Sequence, residues 1–299
     1  MRGPSTALRK ASAALGMTRS ERWVKWGSLL RGLDCDAGCL QFTRMGRKLF
    51  LCALLLAAFA PFHARALDSN VKQLIVSIAP DWNSMTGRMQ MFERGKDGKW
   101  KAVSKPIPVL FGKNGLAWGR GVLGTDEQGL RKVEHDGRAP AGVFKIGKIY
   151  TYDAKLPEGA DYPCHTVTGA DAWVDDVTLP EYNTFVTVDP KSPPPWFEKQ
   201  KMRLGDFAYR WLVDIRHNED PPVPGQGSAI FFHIRRGVTR PTGGCTTMAE
   251  ENLESLVKWL RADAHPEYVL LPWGEYQRKQ EAWGLPPLED VADIAPAGH

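Results

Sequence analysis

A strand-like run that ends on a histidine constrains this chain more than any other stretch. The segment Gly227–Ile234 is apolar, β-branched and aromatic, and it carries His233 next to its end. Such a run predicts a buried strand that brings the histidine to the edge of a sheet. An arginine-rich loop follows, and Gly243 and Gly244 then lead directly into Cys245.

A helix is predicted soon after this cysteine. Thr247 and Glu250 have the spacing of a capping box. The pattern places Cys245 near a helix N-terminus, where the helix dipole favours a thiolate. Apolar side chains then recur at the spacing of one helix face, at Leu253, Leu256, Val257 and Leu260.

These residue types fit nucleophilic catalysis. An imidazole at His233 can take the proton of the Cys245 thiol, and backbone N–H groups around Gly244 and Cys245 can hold an oxyanion. The two glycines allow a tight turn that leaves those N–H groups free. The alternative is a buried structural cysteine beside a core histidine. The diglycine, the predicted helix start and the strand-end histidine together favour catalysis.

The rest of the chain alternates short strands with turns, which indicates a mostly β fold. One main helix follows the cysteine, and residues 196–201 are predicted to add a minor helical segment. The turn Gly95–Gly98 joins two of the strands as a hairpin. Strands or extended segments are predicted at 71–79, 88–93, 100–103, 105–110, 143–152, 209–215, 227–234 and 267–271.

The N-terminal 66 residues have the composition of a leader. Residues 1–44 carry eight Lys/Arg against three Asp/Glu without a domain pattern, and we interpret them as a misassigned or disordered extension. From Met45 a basic start, a 12-residue apolar run and the cleavage site Ala64–Ala66 predict a secretory signal peptide over 45–66. The run is short of the ~20 residues of a membrane helix. The alternative is a signal anchor that begins at Met1.

Removal of this leader changes the charge and cysteine arguments. The whole chain has a formal charge of +5, but residues 67–299 carry 28 Lys/Arg against 31 Asp/Glu, so no basic excess remains for nucleic acid. Only Cys164 and Cys245 remain after export, and a disulfide between them is one alternative. A metal site that also uses His165 and His233 matches no usual zinc spacing. We predict neither a metal nor a cofactor.

The cysteine segment resembles the catalytic stretch of the L,D-transpeptidase family, the YkuD-type domain. In that family a strand-borne histidine precedes a Ser/Thr-x-Gly-Cys signature, supplied here by His233 and then Thr242–Cys245. Residues 136–144 resemble the family's Gly-Arg-Thr-Pro-x-Gly turn, and residues 173–176 and 182–183 resemble a pocket-side segment. The resemblance covers roughly residues 71–273. Many members have His at the position of Gly243, and Arg or Asn at the position of Thr247, which indicates a divergent branch.

The resemblance implies two packed mixed sheets in a β-sandwich-like arrangement, with the Cys/His site at one end. With the leader removed, we expect a catalytic domain over 67–283, followed by a loose Pro/Ala-rich tail over 284–299. The implied activity is covalent acyl transfer on peptidoglycan stem peptides, with Cys245 as nucleophile, His233 as base and Gly244 at the oxyanion. The residues expected to bind substrate are Arg235, Arg236, Arg240, Thr242, Gly243, Trp173 and Tyr182.

Three functions stay open at this point. The acyl acceptor is an amine in a transpeptidase and water in a carboxypeptidase or hydrolase, and the third alternative is a non-catalytic cell-envelope binding module. The three arginines between base and nucleophile either bind substrate carboxylates or form a solvated loop. We expect a monomer that acts in the periplasm or cell wall, without nucleic acid and without a membrane span after signal cleavage.

Overall fold

The structure is a computed structural model that describes residues 66–297. The predicted extension 1–44 and, apart from Ala66, the predicted signal peptide 45–66 lie outside these residues. None of the helices in the described part is long and apolar enough to cross a membrane.

The described residues form mainly short β-strands. The strands are β1 Gln73–Ala79, β2 Thr86–Arg94, β3 Trp100–Ala102, β4 Ile107–Leu110, β5 Leu116–Trp118, β6 Ala139–Thr151, β7 Cys164–Thr166, β8 Asp171–Trp173, β9 Phe185–Thr187, β10 Trp211–Ile215, β11 Phe231–Ile234, β12 Thr246–Met248 and β13 Glu267–Pro272. The α-helices are α1 Phe197–Gln200, α2 Glu250–Trp259 and α3 Trp273–Trp283, and 3₁₀ turns span Phe207–Tyr209, Ala262–Ala264 and Leu288–Ile294.

The main sheet closes on itself. Its strands run in the order β1-β13-β6-β10-β11-β12-β4-β2, and β2 pairs again with β1. Strand β3 adds to β2, strands β5 and β7 add to β6, and β8 with β9 makes a separate two-stranded ribbon. The mostly β class is therefore confirmed, but the sandwich is not, because pairing of β1 with both β13 and β2 produces one barrel-like sheet.

The strands that carry the site have an inner and an outer face. On the inner face, the rings of Phe232 and Tyr268 meet edge to face at 4.6 Å, and the Tyr268 hydroxyl lies 3.0 Å from Thr246 Oγ1. On the outer face, Phe231 meets Trp173 of the β8–β9 ribbon at 4.9 Å between ring centroids. The ribbon thus covers part of the outer face of β10 and β11 with aromatic side chains.

Most predicted elements are confirmed, with shifts at their ends. The helix predicted over 253–260 is α2, and the minor helical segment is α1. Helix α3 was not predicted, because its mostly polar sequence gives a weak apolar stripe. The predicted loose tail is wrong for 288–294, where Val291 and Ile294 are buried in the main core.

Candidate active site

Two neighbouring strands bring His233 and Cys245 to the same face of the sheet. Strands β11 and β12 are parallel, with Phe232 opposite Thr246 and His233 opposite Thr247. Successive side chains of a strand alternate between faces. Since Phe232 and Thr246 point inward, His233 and Cys245 lie on the outer face, and Cys245 is level with Phe231. The two predicted catalytic residues therefore share one face, and Cys245 lies two residues before the position opposite His233.

The predicted helix start at the cysteine is wrong. Cys245 precedes strand β12, and helix α2 begins only at Glu250. Its N-cap is Ala249, without a side-chain capping bond, while Thr247 lies inside β12. The capping box therefore does not form. The dipole of α2 acts within its first turn, so it does not activate this thiol.

The surroundings of Cys245 favour the neutral thiol. Burial raises the pKa of the Cys245 thiol to about 11, which outweighs the lowering effects of the Phe231 N–H and of the charges of Lys132 and Arg236. The side chain packs against the outer aromatic cluster, and its Sγ lies 3.5 Å from the Ala229 carbonyl oxygen, to which the thiol donates. An acceptor at that position stabilises the protonated form.

His233 is oriented as a neutral base. The ring is buried, and Nδ1 lies 2.9 Å from the Ile234 carbonyl oxygen. A carbonyl only accepts, so Nδ1 carries the hydrogen and Nε2 keeps a free lone pair. Burial lowers the pKa of His233 to about 4. Thiol and imidazole are consequently both neutral around pH 7.

A polar clamp packs against this ring. Tyr209 meets His233 edge to face at 5.1 Å, and the Arg236 guanidinium lies 4.7 Å from the centre of the Tyr209 ring. Arg236 also donates from Nε and Nη2 to Asp206 Oδ2, at 2.9 and 2.6 Å. Arg236 was predicted to bind substrate, but its guanidinium already has these partners. Among the predicted arginines, Arg235 is half-buried and Arg240 is exposed, and their role in substrate binding stays a prediction.

The turn before Cys245 is held by a hydroxyl. Thr242 Oγ1 donates to the Cys245 carbonyl oxygen at 2.6 Å and accepts the Gly244 N–H at 3.0 Å. The Gly244 N–H is therefore not free for an oxyanion, against the prediction. In the described part of the chain, no acceptor is assigned to the Cys245 N–H. The expected oxyanion donor is accordingly the nucleophile's own amide.

Gly244 has a different role from the one predicted. A Cβ at this position would lie 2.9 Å from the Arg138 carbonyl oxygen, closer than real Cβ atoms approach backbone. Gly243 has open space around its Cα. The segment that resembles the family's Gly-Arg-Thr-Pro-x-Gly turn therefore packs against the turn before the cysteine, and only Gly244 permits that contact.

Trp173 and Tyr182, predicted to bind substrate, are 7% and 2% exposed and contact other protein groups instead. The Tyr182 hydroxyl donates to Glu134, and Trp173 Nε1 donates to Asn183 Oδ1 at 3.0 Å. The contact of these two side chains with substrate stays a prediction.

Asn183 is the site residue whose role the sequence did not reveal. Its Oδ1 accepts from Trp173 Nε1 and from the Ala229 N–H, both at 3.0 Å. Its Nδ2 donates to the carbonyls of His217 and Asn218 at 2.9 and 2.8 Å. The bond to the Ala229 N–H fixes this residue, which has a left-handed φ of 53°, and the Ala229 carbonyl accepts from the thiol. The other three bonds hold the amide of Asn183 in place. The sequence signal for it was the resemblance of residues 182–183 to a pocket-side segment of the family, which assigned this amide no role.

The two cysteines that remain after the predicted cleavage are both free thiols. Cys164 is exposed on β7, and Cys245 is partly buried. The alternative of a bridge between them is therefore wrong. Within residues 66–297, no group of three or more His, Cys, Asp or Glu side chains is arranged to hold a metal.

In this barrel-like β domain, a thiol and a neutral imidazole lie on one face of neighbouring strands, and a backbone carbonyl orients the imidazole. These are the parts of a cysteine acyl-transfer enzyme. The chain belongs to the family of L,D-transpeptidase catalytic domains (YkuD), whose family profile matches residues 78–269. Domains of this family act on peptidoglycan. No curated protein and no solved structure matched the chain.

Proposed function

We propose that this protein is an exported L,D-transpeptidase that joins peptidoglycan stem peptides through a thioester on Cys245. The observation that carries the proposal is the pairing of β11 with β12, which puts Cys245 and His233 on one face. Family membership supplies the substrate class. Export depends on the signal peptide predicted at 45–66.

The first half-reaction forms the thioester. His233 Nε2 takes the thiol proton while Cys245 Sγ attacks a peptide carbonyl of the donor stem, and the C–N bond then breaks. The leaving amine receives that proton from His233. The Cys245 N–H faces the developing oxyanion.

The second half-reaction transfers the acyl group. An amine of a second stem attacks the thioester carbonyl and loses a proton to His233. The C–S bond then breaks, and the departing Cys245 sulfur receives that proton. Water in place of the amine gives a carboxypeptidase or hydrolase, which is the alternative. The exclusion of water from the acylated site decides between these acceptors.

General-base catalysis follows from the protonation states. With the pKa of Cys245 near 11 and that of His233 near 4, a resting thiolate–imidazolium pair is disfavoured. Proton transfer therefore accompanies the attack instead of preceding it. A carbonyl partner for Nδ1, instead of a carboxylate, keeps the imidazole a weak and neutral base.

Product analysis by mass spectrometry tests the proposal. Residues 67–299 are incubated with purified disaccharide-tetrapeptide muropeptides, and the products are compared with those of Cys245→Ala and Cys164→Ser. A transpeptidase yields dimers that Cys245→Ala does not form, and Cys164→Ser is as active as the parent because Cys164 is remote from the strand pair. Trimmed monomers without dimers would favour water as acceptor.

Intact mass measurement with a carbapenem tests the nucleophile separately. A β-lactam acylates a competent nucleophile without needing an acceptor, so one adduct is expected on the parent and none on Cys245→Ala. If neither protein gains mass and both are equally inert on muropeptides, the non-catalytic binding module becomes the better description.

A further inference from the structure

A pocket of about 620 Å³ opens on the outer face, and Trp173 and Asn183 are among the residues that line it. We call it the carboxyl pocket; its aromatic lining side chains include Tyr150, Trp173 and Phe185, and its charged ones are Lys148, Asp214, Arg216 and Glu219. Its aromatic wall is continuous: Tyr150 lies 5.7 Å from Trp173 and 5.0 Å from Phe185 between ring centroids. The mechanism above uses none of its polar groups.

Asp214 is the unusual group in this pocket. Its residue surface is 5% exposed, and its Oδ1 has no hydrogen-bond partner among the described residues. The carboxylate also sits directly against Gly147, where any side chain would collide with Oδ2. A buried polar atom without a partner is costly. The Asp214 carboxyl is hydrogen-bonded to Glu219, and the unpartnered Oδ1 of this carboxyl pair at a pocket wall points to a ligand that supplies the missing donor.

Arg216, which also lines the pocket, attracts Asp214 but does not fully compensate it. Arg216 binds Glu219 Oε2 at 3.0 Å and Asp220 at 2.9 Å, so its charge is already shared between two acids. Lys148 is exposed at the pocket rim. Burial and the adjacent Glu219 carboxyl raise the pKa of Asp214 well above its usual value, and burial also raises the pKa of Glu219. Without a ligand, the two carboxyls accordingly hold a proton that a cation can replace.

We propose that the carboxyl pocket binds a primary ammonium group, with Asp214 and Glu219 as acceptors and the aromatic wall around it. An ammonium group supplies up to three donors and gains cation–π attraction from the faces of aromatic rings. That the ammonium belongs to a diamino acid of a stem peptide rests on the proposed function. Binding of R–NH₃⁺ displaces the proton held by the carboxyl pair, so a proton is released and charge is conserved.

The sheet register sets the distance between this site and the nucleophile. Asp214 lies opposite Phe231 on the adjacent antiparallel strand, and Phe231 is level with Cys245 on the next. Two strand spacings separate Asp214 from Cys245, or about 10 Å between backbones. That is roughly the length of three extended residues. The pocket is therefore suited to an ammonium group a few residues from the reacting carbonyl.

Calorimetric titration in the Cys245→Ala background tests the site without turnover. The probe is Nα-acetyl-lysine amide, and the matched control is Nα-acetyl-norleucine amide, which has the same four side-chain carbons but no ammonium group. We expect the lysine probe to bind about tenfold or more tightly than the control, as a charge-assisted hydrogen bond implies. At pH 6, titrations in buffers of different ionisation enthalpy should report release of up to one proton.

Two substitutions locate the binding. Asp214→Asn keeps the side-chain shape and should lower affinity for the lysine probe about tenfold, while Asp220→Asn, at a side chain 67% exposed, should change it less than twofold. Equal binding of the two probes, or an unchanged affinity in a folded Asp214→Asn protein, overturns the proposal. The muropeptide assay is independent of these titrations, so a failure here leaves the proposed reaction standing.

Discussion

The four hydrogen bonds of Asn183 allow a prediction with a worked magnitude. In Asn183→Gly, the Trp173 N–H, the Ala229 N–H and two carbonyls lose their partners. Each buried group left unpaired costs about 1–3 kcal/mol, so the lower limit of the sum is about 4 kcal/mol. Glycine is the chosen replacement because Asn183 has a φ of 55°, which glycine adopts without steric strain.

Thermal unfolding monitored by circular dichroism measures this loss. For a domain of this size, 1 kcal/mol corresponds to about 2–4 °C, so the midpoint of Asn183→Gly should fall by about 8–16 °C. Acylation of Cys245 by a carbapenem should also slow, because the Ala229 carbonyl beside the thiol loses its anchor.

Thr184→Ala is the matched control. It removes one exposed hydrogen bond, from Thr184 Oγ1 to the Glu181 carbonyl, and should lower the midpoint by less than about 4 °C. A midpoint for Asn183→Gly within 2 °C of the parent would refute the reasoning that this amide organises the site.

Three further outcomes are expected. Gly244→Ala should destabilise the domain by about 1–3 kcal/mol and abolish acylation, because the alanine Cβ would collide with the backbone of Arg138. Gly243→Ala is the control: there is open space around that position, so stability should change by less than about 0.5 kcal/mol. Arg236→Lys should slow acylation roughly threefold to tenfold, because lysine keeps the charge but loses the paired hydrogen bonds to Asp206 and the stacking on Tyr209. Arg240→Lys should leave the acylation rate unchanged. Acidification from pH 7 to 5 should lower the free energy of unfolding by about 2 kcal/mol through His217 alone. Burial lowers the pKa of His217 to about 3 in the folded protein, whereas the unfolded chain takes up the proton from about pH 6.5 downward.

Each of these has a clear contrary result. Equal losses from the two glycine substitutions would mean that the tight contact is not the cause. Equal slowing by the two arginine substitutions would indicate a general effect of charge near the site. A His217→Gln protein whose unfolding midpoint falls as steeply with acid as that of the parent would remove this histidine from the explanation.

The longer strands could be predicted from the sequence, but the closure of the sheet could not. Runs such as 73–79 and 267–272 are short, apolar and bounded by turns, so their patterns identify them locally. Strand β1 pairs with both β2 and β13. This second pairing involves a segment far away in the sequence, so the local pattern of β1 does not reveal it. Strands of three residues, such as β12, are too short to show a period, and that is why a helix was expected directly after Cys245.

The proposed catalytic pair could likewise be singled out from the sequence, but its electrostatics could not. Residue types and order identify Cys245 and His233, whereas the protonation states depend on burial that only the packed strands create. The Gly244 N–H was expected to be free because two glycines allow a tight turn that leaves such groups unbonded, but the Thr242 hydroxyl accepts it. Asp214 gave no signal at all, since a single acid in a strand predicts nothing until its neighbours are known.

The central claim is that a neutral imidazole activates a neutral thiol. The most direct measurement is the ultraviolet absorbance of the Cys245 thiolate between pH 6 and 9, taken as the difference between Cys164→Ser protein and protein that also carries Cys245→Ala. With a thiol pKa near 11, about one molecule in 10⁴ carries a thiolate at pH 7. The difference spectrum should therefore show almost no thiolate over the whole range. A full thiolate absorbance that does not change with pH would reveal a preformed thiolate–imidazolium pair and contradict the account.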